Sequence, residues 1–193
     1  MTNGPVDRIL WQRLDKPGLE WCEISRRADR TQVAGVALVA HAGVPYRIEY
    51  AIETDAAGRT RRAVIRPAGT TESTIELKAD DDGRWSMNGV ATPDLAGCLD
   101  VDLGFSPMTN SLPIWRLGLA PGETRAIRAT WVRFPEFTVE VLRQTYERAD
   151  QFTYLYRSDG FEASLSIDNE GIVEEYGSYW RVVARQRLDA TKP

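Results

Sequence analysis

Apolar and polar residues alternate with a period of two along much of this chain. In "YRIEYAIE", Tyr46, Ile48, Tyr50 and Ile52 fall on one face of an extended segment, with Arg47, Glu49 and Glu53 on the other. "FEASLSID" does the same, setting Phe161, Ala163, Leu165 and Ile167 against Glu162, Ser164, Ser166 and Asp168, and "STIELK" repeats the pattern briefly. This period predicts strands with one buried face. "VAGVALVA" is apolar throughout, which predicts a strand covered on both sides, with Gly35 marking curvature. "EFTVEVLRQTYERAD" is ambiguous by period, and its valines and threonines favour strand.

Turn signals separate these runs at short intervals: "HAGVP", "TDAAGR", "PAGTTE", "ADDDGR", "APGE", "RSDG" and "DNEG". Such punctuation predicts an antiparallel meander with at most one or two short helices, one of them starting after Thr92 with Pro93 in its first position. A meander this long must curl, because a flat sheet of that width exposes its edges and packs poorly. No linker divides the chain, so residues 1–193 read as a single all-β domain, a large antiparallel sheet curled into an open or half-closed barrel. Residues 44–66 and 159–183 share an order of turn, alternating strand, acidic turn and strand, which suggests an internal duplication.

Composition narrows the function. With 193 residues the chain buries a sizeable core without disulfide staples. A formal charge of −4, with arginines scattered among acids, argues against a nucleic-acid partner. Cys22 and Cys98 lack metal-ligand spacing, and His41 cannot complete a zinc set with them, so reduced buried thiols and no metal or cofactor are expected. "MTNGPVDRILWQRLD" lacks the features of a secretory leader, and no apolar run reaches the length of a membrane span; the expected location is the cytoplasm.

The densest chemistry lies in "AGCLDVDLGFSPMTNSLPIWRL", where Asp100 and Asp102 interrupt an apolar run and Ser106, Thr109, Asn110 and Arg116 follow. On a strand, positions i and i+2 place both carboxylates on one face, where they can share a cation or a pair of sugar hydroxyls, or accept backbone N–H bonds in a tight loop. At least one should be buried and should bond backbone donors or an arginine, with Arg116 the first candidate. Asn110, ahead of an expected proline-bearing strand start, should brace the loop through its own backbone. A serine or cysteine nucleophile would need a base, and His41 stands alone at a strand end. Trp85 beside Asn88 in "RWSMNG" offers an aromatic face with an amide that reads hydroxyls. Phe152, Tyr154 and Tyr156 share a strand face and read as core.

At "GCLDVDLGFSPMTNSLPIWRL", with "GLEWCEI", "DGRWSMNG", "WVRFP" and "QTYER", the chain resembles the bacterial family described as "putative glycolipid-binding" proteins over nearly its full length. Gly97, Cys98, Asp100, Asp102, Pro107, Thr109, Asn110, Leu112, Pro113, Ile114, Arg116 and Leu117 match its central motif, while Trp115 stands where relatives carry arginine. The resemblance implies a curled open or half-closed barrel, similar in outline to periplasmic lipoprotein carriers.

Three readings follow. The first is non-enzymatic binding of an amphiphile, a glycolipid or lipid, on the concave sheet face, with Trp85, Asn88, Asp100, Asp102, Thr109, Asn110 and Arg116 at the head group. The second is a hydrolase acting on a sugar or acyl ester through Asp100 or Asp102. The third is an interaction module whose interior is filled by side chains.

Overall fold

The computed structural model describes residues 4–68 and 74–189. The turn expected at "PAGTTE" falls mainly on 69–73, and the first three residues of the chain and its last four likewise lie outside the described residues. The strands are β1 (Val6–Arg13), β2 (Gly18–Arg26), β3 (Arg30–His41), β4 (Val44–Asp55), β5 (Thr60–Ala68), β6 (Ile75–Ala79), β7 (Trp85–Met87) and β8 (Val90–Ala91). They continue with β9 (Asp100–Leu103), β10 (Thr124–Val132), β11 (Val139–Arg148), β12 (Thr153–Ser158), β13 (Phe161–Ile167), β14 (Val173–Tyr176) and β15 (Trp180–Leu188).

All fifteen belong to one sheet, ordered β8 to β1 and then β15 down to β9, so the two ends of the chain pair at its centre through β1 and β15. The pairing is antiparallel except between β9 and β10, which run parallel. A parallel pair cannot be joined by a tight turn. The connection from β9 to β10 therefore crosses the sheet, and it carries a 3-10 turn (Met108–Asn110) and the helix α1 (Ser111–Leu117).

That crossover decides what fills the curl. Leu103, Phe105, Met108 and Leu112 pack with Ile9, Ile24, Val33, Ile48, Ile52 and Leu77 from the first half of the sheet. Farther along, Ile114 and Leu119 pack with Tyr146, Tyr154, Leu165, Ile167 and Val173 from the second half. Each large side chain so buried contributes about 1.5–3 kcal/mol. The sheet does not close. It curls until the segment entering β9 meets β5, where the Thr60 amide donates to the Leu99 carbonyl at 2.8 Å and Thr60 Oγ1 accepts from the Val101 amide at 3.2 Å.

Several expectations need correction. "VAGVALVA" is covered on one side only: Val33, Ala37 and Val39 are buried, whereas Leu38 is 50 % exposed, because the sheet is a single layer packed on its concave face. Gly35 serves a close approach, since a Cβ there would sit 2.5 Å from the ring of Tyr50, its ladder partner. The turn after Thr92 is a 3-10 turn (Pro93–Leu95) that the Thr92 side chain does not cap. "SLPIWRL" forms α1 instead of a strand start; Pro113 lies in the first helical turn, where its missing N–H costs nothing. Tyr154 and Tyr156 are buried as expected, but Phe152 precedes β12 and is 41 % exposed. Residues 44–66 form the hairpin β4–β5, whereas 159–183 spread over β13, β14 and β15, so the matching cores have different strand counts.

Candidate functional site

The two aspartates of β9 face the same way, and their surroundings separate them. Asp100 is 1 % exposed and is gripped by Arg116 from α1, with Nε to Oδ1 at 2.9 Å and Nη2 to Oδ2 at 2.5 Å. Burial pushes its carboxyl up, and the guanidinium opposes that shift. Gly118, at φ +54°, ends α1 directly after the turn that carries Arg116, which a glycine does without strain. The pair is a brace.

Asp102 has no such partner. It accepts a hydrogen bond from Gln144 Nε2 on β11 and lies beside Thr109, yet burial dominates and the nearby Asp100 charge adds to it, so its carboxyl is pushed up to about 6. Asn110 accepts from the Tyr146 hydroxyl at 3.0 Å through Oδ1 and reaches the Pro107 carbonyl at 3.4 Å through Nδ2. Thr109 Oγ1 accepts from the Leu103 amide at 3.2 Å and donates to the Ser106 carbonyl at 3.3 Å. Ser106 donates to the buried Glu20 at 2.7 Å. Each short polar side chain of the motif thus ties part of the crossover in place.

Above Asp102, Ser106 and Asn110 opens a pocket of about 470 Å3, walled by Trp131, Tyr156, Phe161, Tyr176, Tyr179 and Trp180. Its rings meet edge to face, Tyr156 with Tyr176 at 6.0 Å and Tyr176 with Tyr179 at 6.0 Å. Carboxylate, amide and hydroxyl groups set against aromatic walls suit a polyhydroxylated ring, whose C–H faces stack while its hydroxyls bond. A second, larger cleft of about 920 Å3 adjoins it, sharing Ser158, Asp159 and Phe161.

Of the residues singled out from sequence, Asp102 and Asn110 border the pocket and Arg116 borders the second cleft. Asp100 and Thr109 are buried braces beneath them. Trp85 and Asn88 are elsewhere: the Trp85 indole donates to the Cys98 carbonyl at 3.0 Å inside the core, and Asn88, in the turn between β7 and β8, is tied to the start of β6 through the Glu76 amide and the Thr74 carbonyl. A tryptophan buried as a donor to backbone has no face to offer a ligand. Sequence reasoning missed Gln144 and the aromatic walls; the cluster "YGSYW" at residues 176–180, split by a glycine at φ +50°, was the available signal.

A family model described as "Putative glycolipid-binding" matches residues 8–182. The chain belongs to this family. Among solved structures, the chain is similar to a DUF1089 family protein from Pseudomonas aeruginosa, with 36 % sequence identity and a TM-score of 0.71, covering 81 % of this chain and 88 % of that one. No curated protein matches it. Among the described residues no helix is long and apolar enough to cross a membrane, and no cluster of His, Cys, Asp and Glu could hold a metal ion.

Proposed function

We propose that the protein binds, without chemical turnover, the sugar-bearing head of a glycolipid in the pocket over Asp102, Ser106 and Asn110. The observation that carries this reading is the aromatic wall around a polar floor, in a volume within the roughly 300–1,000 Å3 span of small-molecule sites. The family description supports the same ligand class. The crossover already fills the first half of the concave face, so the acyl chains extend from the pocket mouth and do not lie along the sheet. Cys22 and Cys98, both buried and unpaired, fit a reducing cytoplasm.

Calorimetric titration with octyl glucoside below its micelle concentration tests the proposal. Saturable binding that weakens at least tenfold in Tyr179→Ala is expected, and the absence of saturable binding to the unaltered protein rejects it. One observation favours a second reading: a carboxyl held near 6 beside a pocket is suited to general acid–base work. Release of p-nitrophenol from p-nitrophenyl glycosides or esters, abolished in Asp102→Asn, would replace binding with turnover.

A further inference from the structure

We propose that the 920 Å3 cleft beside the aromatic pocket is a phosphate-binding site formed by Arg128 and Arg143, which share one face of the sheet, while Arg125, three residues from Arg128 on β10, leaves from the opposite face. The ladder creates the opportunity. β9 pairs with β10 only from Ala129 to Val132, which leaves Thr124–Arg128 at the edge of the sheet along this cleft.

Five arginines line the cleft, and two are committed. Arg116 holds Asp100, and Arg157 pairs with Glu147 at 3.0 Å and Glu162 at 2.6 Å. The other three have no carboxylate partner among the described residues. The Arg125 side chain reaches only the carbonyl of Thr124 at 3.1 Å, that of Arg128 only the carbonyl of Asp94 at 3.4 Å, and the Arg143 side chain makes no hydrogen bond or ion pair among the described residues. Asp159 is the one lining carboxylate not already engaged there, so guanidinium charge is in excess, although the whole chain carries −4.

Register sharpens the point. Arg128 and Arg143 are direct ladder partners across β10 and β11, an arrangement of like charges that destabilises a sheet. Charge on an exposed edge discourages edge-to-edge pairing, and that accounts for Arg125 and Arg128. It does not account for Arg143, which sits on an inner strand. Two opposed guanidiniums, each able to fork onto two oxygens, suit a tetrahedral oxyanion, whose binding turns their repulsion into shared attraction.

The cleft and the pocket share Ser158, Asp159 and Phe161, so one ligand can place a sugar ring in one and a phosphate in the other. This deepens the glycolipid reading and rests on it for the identity of the whole ligand, though the anion site stands on its own residues. The phosphate is carried by a lipid head group or is free inorganic phosphate; the chemistry recognised is the same.

The test is calorimetry with three separate probes, inorganic phosphate, monomeric dihexanoyl phosphatidic acid and octyl glucoside, on the unaltered protein and on R128Q/R143Q. At least one phosphate probe should bind the unaltered protein, weaken at least tenfold in the double variant and weaken again as salt is raised. Octyl glucoside binding should be the same in both proteins. Phosphatidic acid binding well ahead of inorganic phosphate assigns the site to a lipid head group, and equal affinity assigns it to free phosphate. Either result supports the proposal. Phosphate binding without octyl glucoside binding leaves this site standing and removes the sugar reading. Phosphate probes that fail to bind, or that bind both proteins equally, overturn it. In phosphate-free buffer R143Q should melt about 1–2 °C higher, because a repulsion is relieved; a lower Tm would show Arg143 to be a structural cation and would also overturn it.

Discussion

The first half of the sheet, β1 to β7, covers its concave face mainly with aliphatic Ile9, Ile24, Val33, Ile48, Ile52, Ile65 and Leu77 beside Trp11, Tyr50 and Trp85, while the second half adds to Leu165, Ile167 and Val173 the phenols Tyr146, Tyr154, Tyr156 and, around the pocket, Tyr176 and Tyr179. Aliphatic side chains carry no polar atom, so they pack against the crossover without leaving space. Phenol rings are longer and carry a hydroxyl that must reach a partner or water, as the Tyr146 hydroxyl does at Asn110. The same curl is therefore packed throughout on one side and, on the other, leaves a pocket beside its packed core. The aspartates of β9 repeat that contrast within three residues: Asp100 is neutralised by Arg116, whereas Asp102 faces the opening. The filled half also buries Asp7, Thr54 and Thr60, but Glu20 is its exception, a carboxylate with no cationic partner among the described residues. Glu20 is fully buried, bonded by Tyr50 and Ser106, with Oε2 left without a partner among the described residues, and burial pushes its carboxyl up to about 7.

The largest effect should come from breaking the brace. Arg116→Ala leaves Asp100 buried without its cation and should cost about 3–5 kcal/mol in urea unfolding. A loss below about 1 kcal/mol would mean that Asp100 does not depend on the pair. Next, Ile48→Ala in the filled half should cost about 2–5 kcal/mol, because a close-packed aliphatic layer cannot collapse onto the gap; a value near zero would show that half to be loosely packed and erase the contrast.

Glu20 then tests the exception. Its folded carboxyl binds a proton more tightly than in the unfolded chain, so stability should fall as pH rises from about 4.5 to about 7 and level off on either side. Glu20→Gln should flatten that fall, and its stability relative to the unaltered protein should increase by roughly 3 kcal/mol across the window. Parallel melting curves for the two proteins from pH 4 to 8 would refute the assignment. Smallest of all, Tyr176→Phe should change stability by less than about 1 kcal/mol, since it keeps the ring and loses a hydroxyl at the pocket wall. Its octyl glucoside affinity should nevertheless drop. A large loss of stability with unchanged affinity would make the second half a core like the first.

Much of the fold was legible before any coordinates. The face carrying Ile48, Tyr50 and Ile52 is the buried face of β4, and the one carrying Ala163, Leu165 and Ile167 is that of β13. Part of the site was legible too, because an acid in an apolar run with an arginine nearby has few ways to be buried, and Asp100 takes the expected one. The aromatic pocket was not, since its walls come from β10, β12, β13, β14, β15 and the turn before β15, segments that no short window of sequence brings together.

By itself the sequence determined that the clearly alternating stretches, those of β4 and β13 above all, are strands and which face of each is apolar, because a period of two is a property of adjacent residues and needs no partner. It also determined that "CLDVD" must satisfy a buried carboxylate. Tertiary structure alone decided that β9 pairs parallel to β10, that the resulting crossover fills the curl of the first half and packs on the second beside an open pocket, and that Arg128 stands opposite Arg143. Those outcomes depend on register and curvature, which are set by the summed packing of strands far apart in the chain and leave no trace in any single one.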